Sequence, residues 1–236
     1  MALAMAAHAQ PQPAPRVEFE VVSVKPADPG ANGSSWGAPP GRLTMRNTTL
    51  KNLVMNAFRL NEYQITGGPK WMDSARFNID AKLPAGAPQD QIPLMMQAML
   101  ADRFKLQSHR ETRTLREYAL VVAKGGAKFP EVDKGDHPGA GTYQDPHEIL
   151  GRGRPVSDMA RMLVDAVDAP VIDRTGLKGQ YDFELRFAPL SVTPEANEGL
   201  PPIFAVLQEK LSLKLQAMKG PVEVLVIDRA EMPSAN

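Results

Sequence analysis

Carboxylate and imidazole side chains gather in the middle of the chain, where they could bind a metal ion. They are Asp136, His137, Asp145, His147 and Glu148. Oxygen and nitrogen ligands of this kind suit divalent cations, but the four histidines of the chain include no i,i+4 pair of the zinc-protease type. Asp136, His137, Asp145 and His147 are therefore weak metal-ligand candidates, and a solvated flexible loop that holds no ligand rigidly is the alternative.

Covalent catalysis has less support from the sequence. The chain contains no cysteine, which excludes disulfides and thiolate nucleophiles. Its serines and histidines follow no recognisable catalytic order, so no catalytic residue and no cofactor is predicted. The segment Gly67-Gly68-Pro69-Lys70-Trp71 lacks the glycine spacing and the Lys-Ser/Thr pair of a phosphate-binding loop.

Five residues are predicted to contact a ligand or partner, namely Trp36, Trp71, Asp173, Arg174 and Tyr181. Asp173 and Arg174 could present a carboxylate and a guanidinium from a tight turn. The structural alternative is that Gly176 and Gly179 supply turn conformations while Asp173 accepts backbone N–H bonds. Trp36 lies in a polar loop, whereas Trp71 is expected to pack over a turn.

The overall charge gives no support for nucleic-acid binding, and the hydropathy gives none for a membrane span. The chain has 27 basic and 27 acidic residues, so no overall basic excess points to nucleic acid. A local basic cluster comprises Arg103, Lys105, His109, Arg110, Arg113 and Arg116. It could bind an anionic ligand, but Glu111 and Glu117 interrupt it. A solvated face that binds no ligand is therefore the default interpretation. Beyond the N-terminus no apolar run approaches the roughly 18 residues of a membrane span, so we expect no transmembrane segment in the mature chain.

The N-terminal end predicts export. Residues 1–10 read MALAMAAHAQ, and Ala7-His8-Ala9 has the A-x-A form of a signal-peptidase site before Gln10. The basic region that usually begins a signal peptide is missing, so an unstructured Ala-rich tail is the alternative. Residues 1–16 are interpreted as a signal remnant and proline-rich spacer, and the protein is expected in the periplasm, at the cell surface or outside the cell.

Self-similarity at a spacing of about 104 to 110 residues predicts a duplicated domain. We expect a first repeat unit at 17–124, a linker at 125–154 and a second repeat unit at 155–236, each unit reading β-α-β-α-β-β. Alternating strands are clearest at Phe77–Leu83 and Tyr181–Phe187. The predicted fold class is α+β with mostly antiparallel sheets.

Finer elements follow from local patterns. Asn47 or Thr48 and Ser157 are predicted helix N-caps, and Pro93 and Pro201-Pro202 open second helices. Two closing hairpins are expected, one joining 104–109 to 117–123 and one joining 213–218 to 222–228 through a turn at Lys219-Gly220-Pro221.

The chain resembles the DUF3738 family, a Soli-type family of soil Acidobacteria and their relatives, over nearly all of residues 17–234. The segments that carry the resemblance are Phe19–Pro26, Gly67–Trp71, Asp173–Asp182 and Val226–Ser234. The family has no established activity, and in some relatives a similar domain is joined to a membrane-bound zinc peptidase as an extracytoplasmic part. The repeat also resembles the short N-terminal domain of secretins and TonB-type proteins, which implies a binding module.

These observations favour an exported, non-catalytic binding or protein-interaction module whose partner is a protein or a small polar ligand. Two alternatives stay open. One is a hydrolase or metal-dependent enzyme that uses the central Asp/His loop. The other, implied by the resemblance alone, is an extracytoplasmic sensory domain linked to a regulatory peptidase.

Overall fold

A computed structural model describes residues 17–132, 141–188, 190 and 199–234. It combines helices with mostly antiparallel sheets, which confirms the α+β prediction. The chain divides into a first unit, Met1–Leu60, Gly67–Ser108 and Ile227–Asn236, and a second unit, Asn61–Thr66 and His109–Val226. Within the described ranges, no helix is both long and apolar enough to cross a membrane.

In chain order the elements are β1 (Val21–Pro26), β2 (Ser35–Gly37), β3 (Arg42–Thr49), α1 (Leu50–Phe58), β4 (Ile65–Gly67), β5 (Arg76–Lys82), α2 (Ile92–Arg103), β6 (Gln107–Val122), β7 (Glu131–Val132), β8 (Gly141–Asp145), β9 (Glu148–Arg154), α3 (Val156–Val167), β10 (Val171–Asp173), β11 (Gln180–Arg186), α4 (Ile203–Val206) and β12 (Leu213–Arg229).

The first unit is built on an antiparallel sheet of strand order β1-β5-β3-β2. The alternation predicted for β5 holds, because Phe77, Ile79 and Ala81 are buried. Helix α2 packs on α1, where Gln97 Nε2 donates to the carbonyl of Ala57 at 2.7 Å. The sheet is therefore covered by helices on its apolar face.

Helix α1 begins one residue later than the predicted caps. Thr49 is the N-cap, and its hydroxyl accepts from the backbone N–H of Asn52 at 3.2 Å. Asn47 is instead buried with a φ of 52°, and its amide donates to the carbonyls of Ala31 and Gly33. The predicted N-cap, Asn47 or Thr48, is therefore wrong. The Asn47 side chain instead anchors the loop that precedes the strand.

The second unit has a sheet of order β7-β11-β9-β8 with α3 packed against β9. The ring of Phe183 lies over Gly151 of the neighbouring strand, so that a Cβ at Gly151 would meet the ring at 2.2 Å. The predicted N-cap Ser157 is wrong, because α3 begins at Val156 behind Pro155. Proline has a φ suited to the start of a helix and needs no N–H partner there.

Both predicted closing hairpins are wrong. Each is one long strand, β6 with 16 residues and β12 with 17 residues, and the two are neighbours in a sheet of order β10-β6-β12-β4. Gly220, predicted to form a turn, lies inside β12, where a Cβ would meet the carboxyl of Glu117 at 2.4 Å. Glycine therefore makes room for a buried neighbour rather than reversing the chain.

The segment 125–154 is not a continuous loop, as the sequence suggested, because it contains β7, β8 and β9. In the sequence, Gly151 and Gly153 interrupt the alternation of apolar residues that would have predicted β9. In the structure, Ile149 and Gly151 are nevertheless buried against β11. The polar loop around Trp36 also contains a strand, β2. The element order β3-α1-β4-β5-α2-β6 recurs as β9-α3-β10-β11-α4-β12; a duplication of the sequence and its domain bounds stay predictions.

The glycines of the segment Gly67–Trp71 are required by a close backbone approach. Gly67 and Gly68 have φ values of 76° and 81°, and the N–H of Gly68 donates to the carbonyl of Ile227 at 2.9 Å. A Cβ at Gly67 would lie 2.8 Å from that carbonyl oxygen. This geometry explains the two glycines without a phosphate ligand.

We predict that Gly67→Ala lowers the free energy of unfolding by about 2 to 4 kcal/mol, because it combines a left-handed φ with a contact on backbone that cannot move aside. Urea unfolding followed by tryptophan fluorescence measures the loss. Gly86→Ala is the matched control, since Gly86 has a φ of 75° and nothing within 4 Å of the added Cβ. Equal losses in the two variants would contradict the close-approach argument.

Candidate functional site

A groove lies beside α2 in the first unit. Pro93 in the first turn and Arg103 in the last suit the ends of this helix. One face of α2 fills the core, and its buried residues are Ile92, Met95, Met96, Met99 and Leu100. The face turned to the groove is also apolar, with Leu94, Ala98 and Ala101 at helical spacing.

The opposite wall of the groove is the chain segment that leads into β1. Val17, Phe19 and Val22 line it, and the whole cavity encloses about 940 Å³ and opens to solvent. Met95 and Met99 are buried and line the groove, while Leu94 is 51% exposed. We call this cavity the α2 groove.

Two acidic and two basic residues also line the α2 groove, namely Glu18, Asp102, Arg103 and Lys105. Arg103 donates from Nη2 to the carbonyl of Val22 at 2.9 Å, which ties the helix to the edge strand. Lys105 Nζ lies 3.7 Å from Asp102 Oδ1, and both side chains are exposed. Among the residues that the structure describes, the lining contains no histidine, serine or tyrosine. The arrangement can therefore bury apolar groups of a ligand while its rim contacts polar ones.

The two predicted tryptophan contacts differ in environment. Trp36 is in the edge strand β2 and is 47% exposed. Trp71 lies in a short 3-10 turn and packs edge-on against Phe77, with ring centroids 6.4 Å apart. Trp36 is thus available to a partner, and Trp71 makes the turn packing that was expected. Their binding role stays a prediction.

The turn at Asp173 has the hydrogen bonds of the structural alternative. Asp173 Oδ1 accepts from the backbone N–H of Thr175 at 2.9 Å and from its hydroxyl at 2.7 Å. Gly176 adopts the expected left-handed conformation, with a φ of 73°. The Arg174 backbone N–H donates to Leu120, and its side chain is exposed. Of this pair, only Arg174 presents its charge outward.

Tyr181 lies in the core rather than on the surface. It is 4% exposed, and its ring packs on Phe129 with a centroid distance of 4.9 Å. Its position in β11 follows the apolar alternation with Phe183 and Leu185. The prediction that Tyr181 contacts a ligand is left without geometric support.

The central Asp/His cluster is only partly described. Asp136 and His137 lie outside the described residues. Asp145, His147 and Glu148 line a small cavity of about 240 Å³ together with Arg186 and Leu200, and the buried Nδ1 of His147 has no hydrogen-bond partner. Among the residues that the structure describes, no group of three or more His, Asp or Glu side chains could hold a metal ion.

Asp145 organises the turn between β8 and β9. Its Oδ1 accepts from the backbone N–H of His147 at 2.7 Å, and this bond holds the pKa of the Asp145 carboxyl below its usual value. The Tyr143 hydroxyl donates to Asp145 Oδ2 at 3.1 Å, which raises the pKa of Tyr143. Asp145 thus stabilises the turn of this hairpin, and its role as a metal ligand stays a prediction.

Sequence reasoning missed two features. Gly33-Ser34-Ser35-Trp36-Gly37 fits the G-x-S-x-G pattern, but Ser35 begins an edge strand followed by another strand, not the strand-to-helix turn of a nucleophile elbow. The α2 groove was also missed. Its signal is present in the sequence, because α2 carries apolar residues on both of its faces.

Comparison with known proteins gives one match. A family model described as "Protein of unknown function (DUF3738)" matches residues 51–230, which is more than half of the chain. No curated protein and no solved structure matches the chain.

We predict that Asp145→Asn lowers the pKa of Tyr143 toward the ordinary tyrosine value, because the variant removes the charged acceptor that favours the protonated phenol. NMR titration of tyrosine Cζ signals, assigned with Tyr143→Phe, measures the change. Asp28→Asn, which removes an exposed carboxylate of the first unit, should leave the titration unchanged. An unaltered Tyr143 pKa in Asp145→Asn would show that this hydrogen bond does not form.

Proposed function

The chain belongs to the DUF3738 family of proteins of unknown function, and on that premise we propose that it is a non-catalytic interaction module that binds an apolar peptide segment of a partner protein in the α2 groove. The observation that carries the proposal is a groove of about 940 Å³ with an apolar lining along one helix. Its residues supply buried contact area rather than a nucleophile or a proton-transfer pair.

The shape of the groove favours a protein segment over a small polar ligand. Small-molecule sites usually enclose most of their ligand, whereas this groove opens to solvent along α2. Leu94, Ala98 and Ala101 follow the i, i+4, i+7 spacing along one helical face. A segment lying beside them would cover Leu94, which solvent now reaches.

The methionines support binding of more than one apolar side chain. Met95 and Met99 line the groove, and methionine adapts its flexible thioether to irregular partner surfaces. The rim pairs one anion with one cation at Asp102 and Lys105, so it favours a peptide with polar flanks of both signs over a strongly charged ligand.

We predict that Leu94→Glu weakens peptide binding by about tenfold or more, because it places a charge where an apolar side chain would be buried. Peptides selected from a random phage-displayed library on the wild-type protein are the probe, and fluorescence anisotropy measures their Kd. Met232→Glu is the matched control, since Met232 is 52% exposed and Leu94 is 51% exposed, and Met232 belongs to neither proposed binding surface.

The selected peptides should be rich in apolar residues and should bind Met232→Glu as tightly as wild type. Selection of no apolar sequence, or an equal loss of affinity in both variants, would refute the α2 groove as the binding site. Neither substitution fills or empties the core, so loss of folding is not expected to confuse the comparison.

We also propose that the protein acts outside the cytoplasm, on the basis of the Ala7-His8-Ala9 pattern. Expression of the full chain in a bacterial host should yield an exported product that begins at Gln10. N-terminal sequencing of the protein from the periplasm and the medium tests this. Replacing Ala9 with Asp should block processing, and a cytoplasmic product that retains Met1 or Ala2 would contradict export.

A further inference from the structure

Among the described residues, strand β6 has a long edge without a strand partner. Its outer neighbour β10 pairs only with Tyr118, Ala119 and Leu120. No strand in the described ranges pairs with the outer side of residues 109–116, which we call the β6 edge. An open edge of this length presents a row of backbone donors and acceptors to another chain.

The direction of those backbone groups follows from the bonds to β10. The N–H of Tyr118 donates to the carbonyl of Pro170 at 2.8 Å, and the carbonyl of Leu120 accepts from Arg174 at 2.9 Å. Peptide groups alternate in direction along a strand. The N–H and C=O groups of Thr112, Thr114 and Arg116 therefore face the open side.

A cavity adjoins the end of the β6 edge. It encloses about 440 Å³, and its lining residues are Tyr63, Leu115, Arg116, Val167, Asp168, Ala169 and Leu190. Leu190 is 52% exposed. A strand added to the edge could place one apolar side chain in this cavity, and such pockets give specificity where main-chain bonds give affinity.

Charge selects the chemistry of the added strand. The β6 edge carries Arg110, Arg113 and Arg116 against the single carboxylate of Glu111. Arg110 pairs with Glu223 and Arg113 with Glu111, whereas Arg116 has no ion-pair partner in the described part of the chain. A second copy of the same edge would bring three further arginines against one carboxylate to an edge that already has this excess of arginine, whereas an acidic strand would bring carboxylates.

We propose that the β6 edge binds an extended acidic segment of a partner protein as an added β-strand, with one apolar side chain of that segment in the adjoining cavity. This site is in the second unit and shares no residue with the α2 groove. It goes beyond the proposed function, because it names a different surface and a partner of different chemistry.

The probe is a fluorescein-labelled peptide of about eight residues, Glu-Val-Glu-Val-Thr-Val-Glu-Leu, and fluorescence anisotropy measures its binding to the full chain. We expect saturable binding that weakens with salt. Two N-methylated versions of the probe are compared, one methylated at the odd-numbered residues and one at the even-numbered residues. One version should bind about tenfold or more weakly and the other should bind as the unmodified probe does, because only one set of N–H groups faces the edge.

Thr112→Pro tests the protein side. It removes an outward N–H that the neighbouring strand does not use, so β6 should still form, and it should weaken probe binding about tenfold or more. Thr112→Val is the control and should bind as wild type does. Arg116→Glu should weaken binding of this probe and favour a version with lysine in place of glutamate.

Three results would overturn the proposal: no saturable binding at millimolar probe, equal sensitivity of both N-methylated sets, or a wild-type dimer that Thr112→Pro dissociates. The last result would assign the edge to a second copy of the chain. Leu94→Glu should bind this probe normally, so the test does not depend on the α2 groove.

Discussion

The pairing of β6 with β12 is the interaction on which much of the architecture depends. These are the longest strands, and they lie side by side in the sheet of order β10-β6-β12-β4. Residues distant in sequence form this ribbon, so the chain must close a long loop before the pairing contributes to stability. The pairing places the Glu117 side chain of β6 against Gly220 of β12, and this contact requires a glycine at that position. It also leaves the outer side of residues 109–116 without a strand partner among the described residues.

The two proposed binding surfaces rely on different physical effects. The α2 groove offers apolar area, and its binding free energy would come from removing Leu94 and its neighbours from water. The β6 edge offers main-chain hydrogen bonds and positive charge, which give register and direction with less apolar burial. Two of the predicted site residues, Asp145 and Asp173, also have structural partners. Asp145 and Asp173 each accept a backbone N–H two residues ahead and so stabilise a turn.

Local patterns predicted the elements whose burial is periodic. The alternation of β5 and β11 gave their buried faces, because period two needs no knowledge of the partner strand. The same approach failed for β9, where Gly151 replaces an apolar residue so that Phe183 can cover it. It also failed for β6 and β12. Polar residues in β6 and Lys219-Gly220-Pro221 in β12 are typical of turns, and the sequence does not show the neighbouring strand that makes each segment continuous. For the candidate site, the sequence identified Trp36 as exposed and placed Tyr181 on the apolar face of β11, where it is buried; the ligand contacts of both stay predictions.

The sequence by itself determined the α+β class, the absence of cysteine chemistry and the membership of the DUF3738 family, whose model matches residues 51–230. Composition and short-range periodicity suffice for these, because they depend on residue type and on neighbours a few positions away. Only the tertiary structure decided which apolar residues are left uncovered and which strand edges are left open. Leu94 and Leu100 are both apolar residues of α2, but packing buries Leu100 and leaves Leu94 half exposed. Exposure is a property of the assembled fold, so the binding surfaces could be found only there.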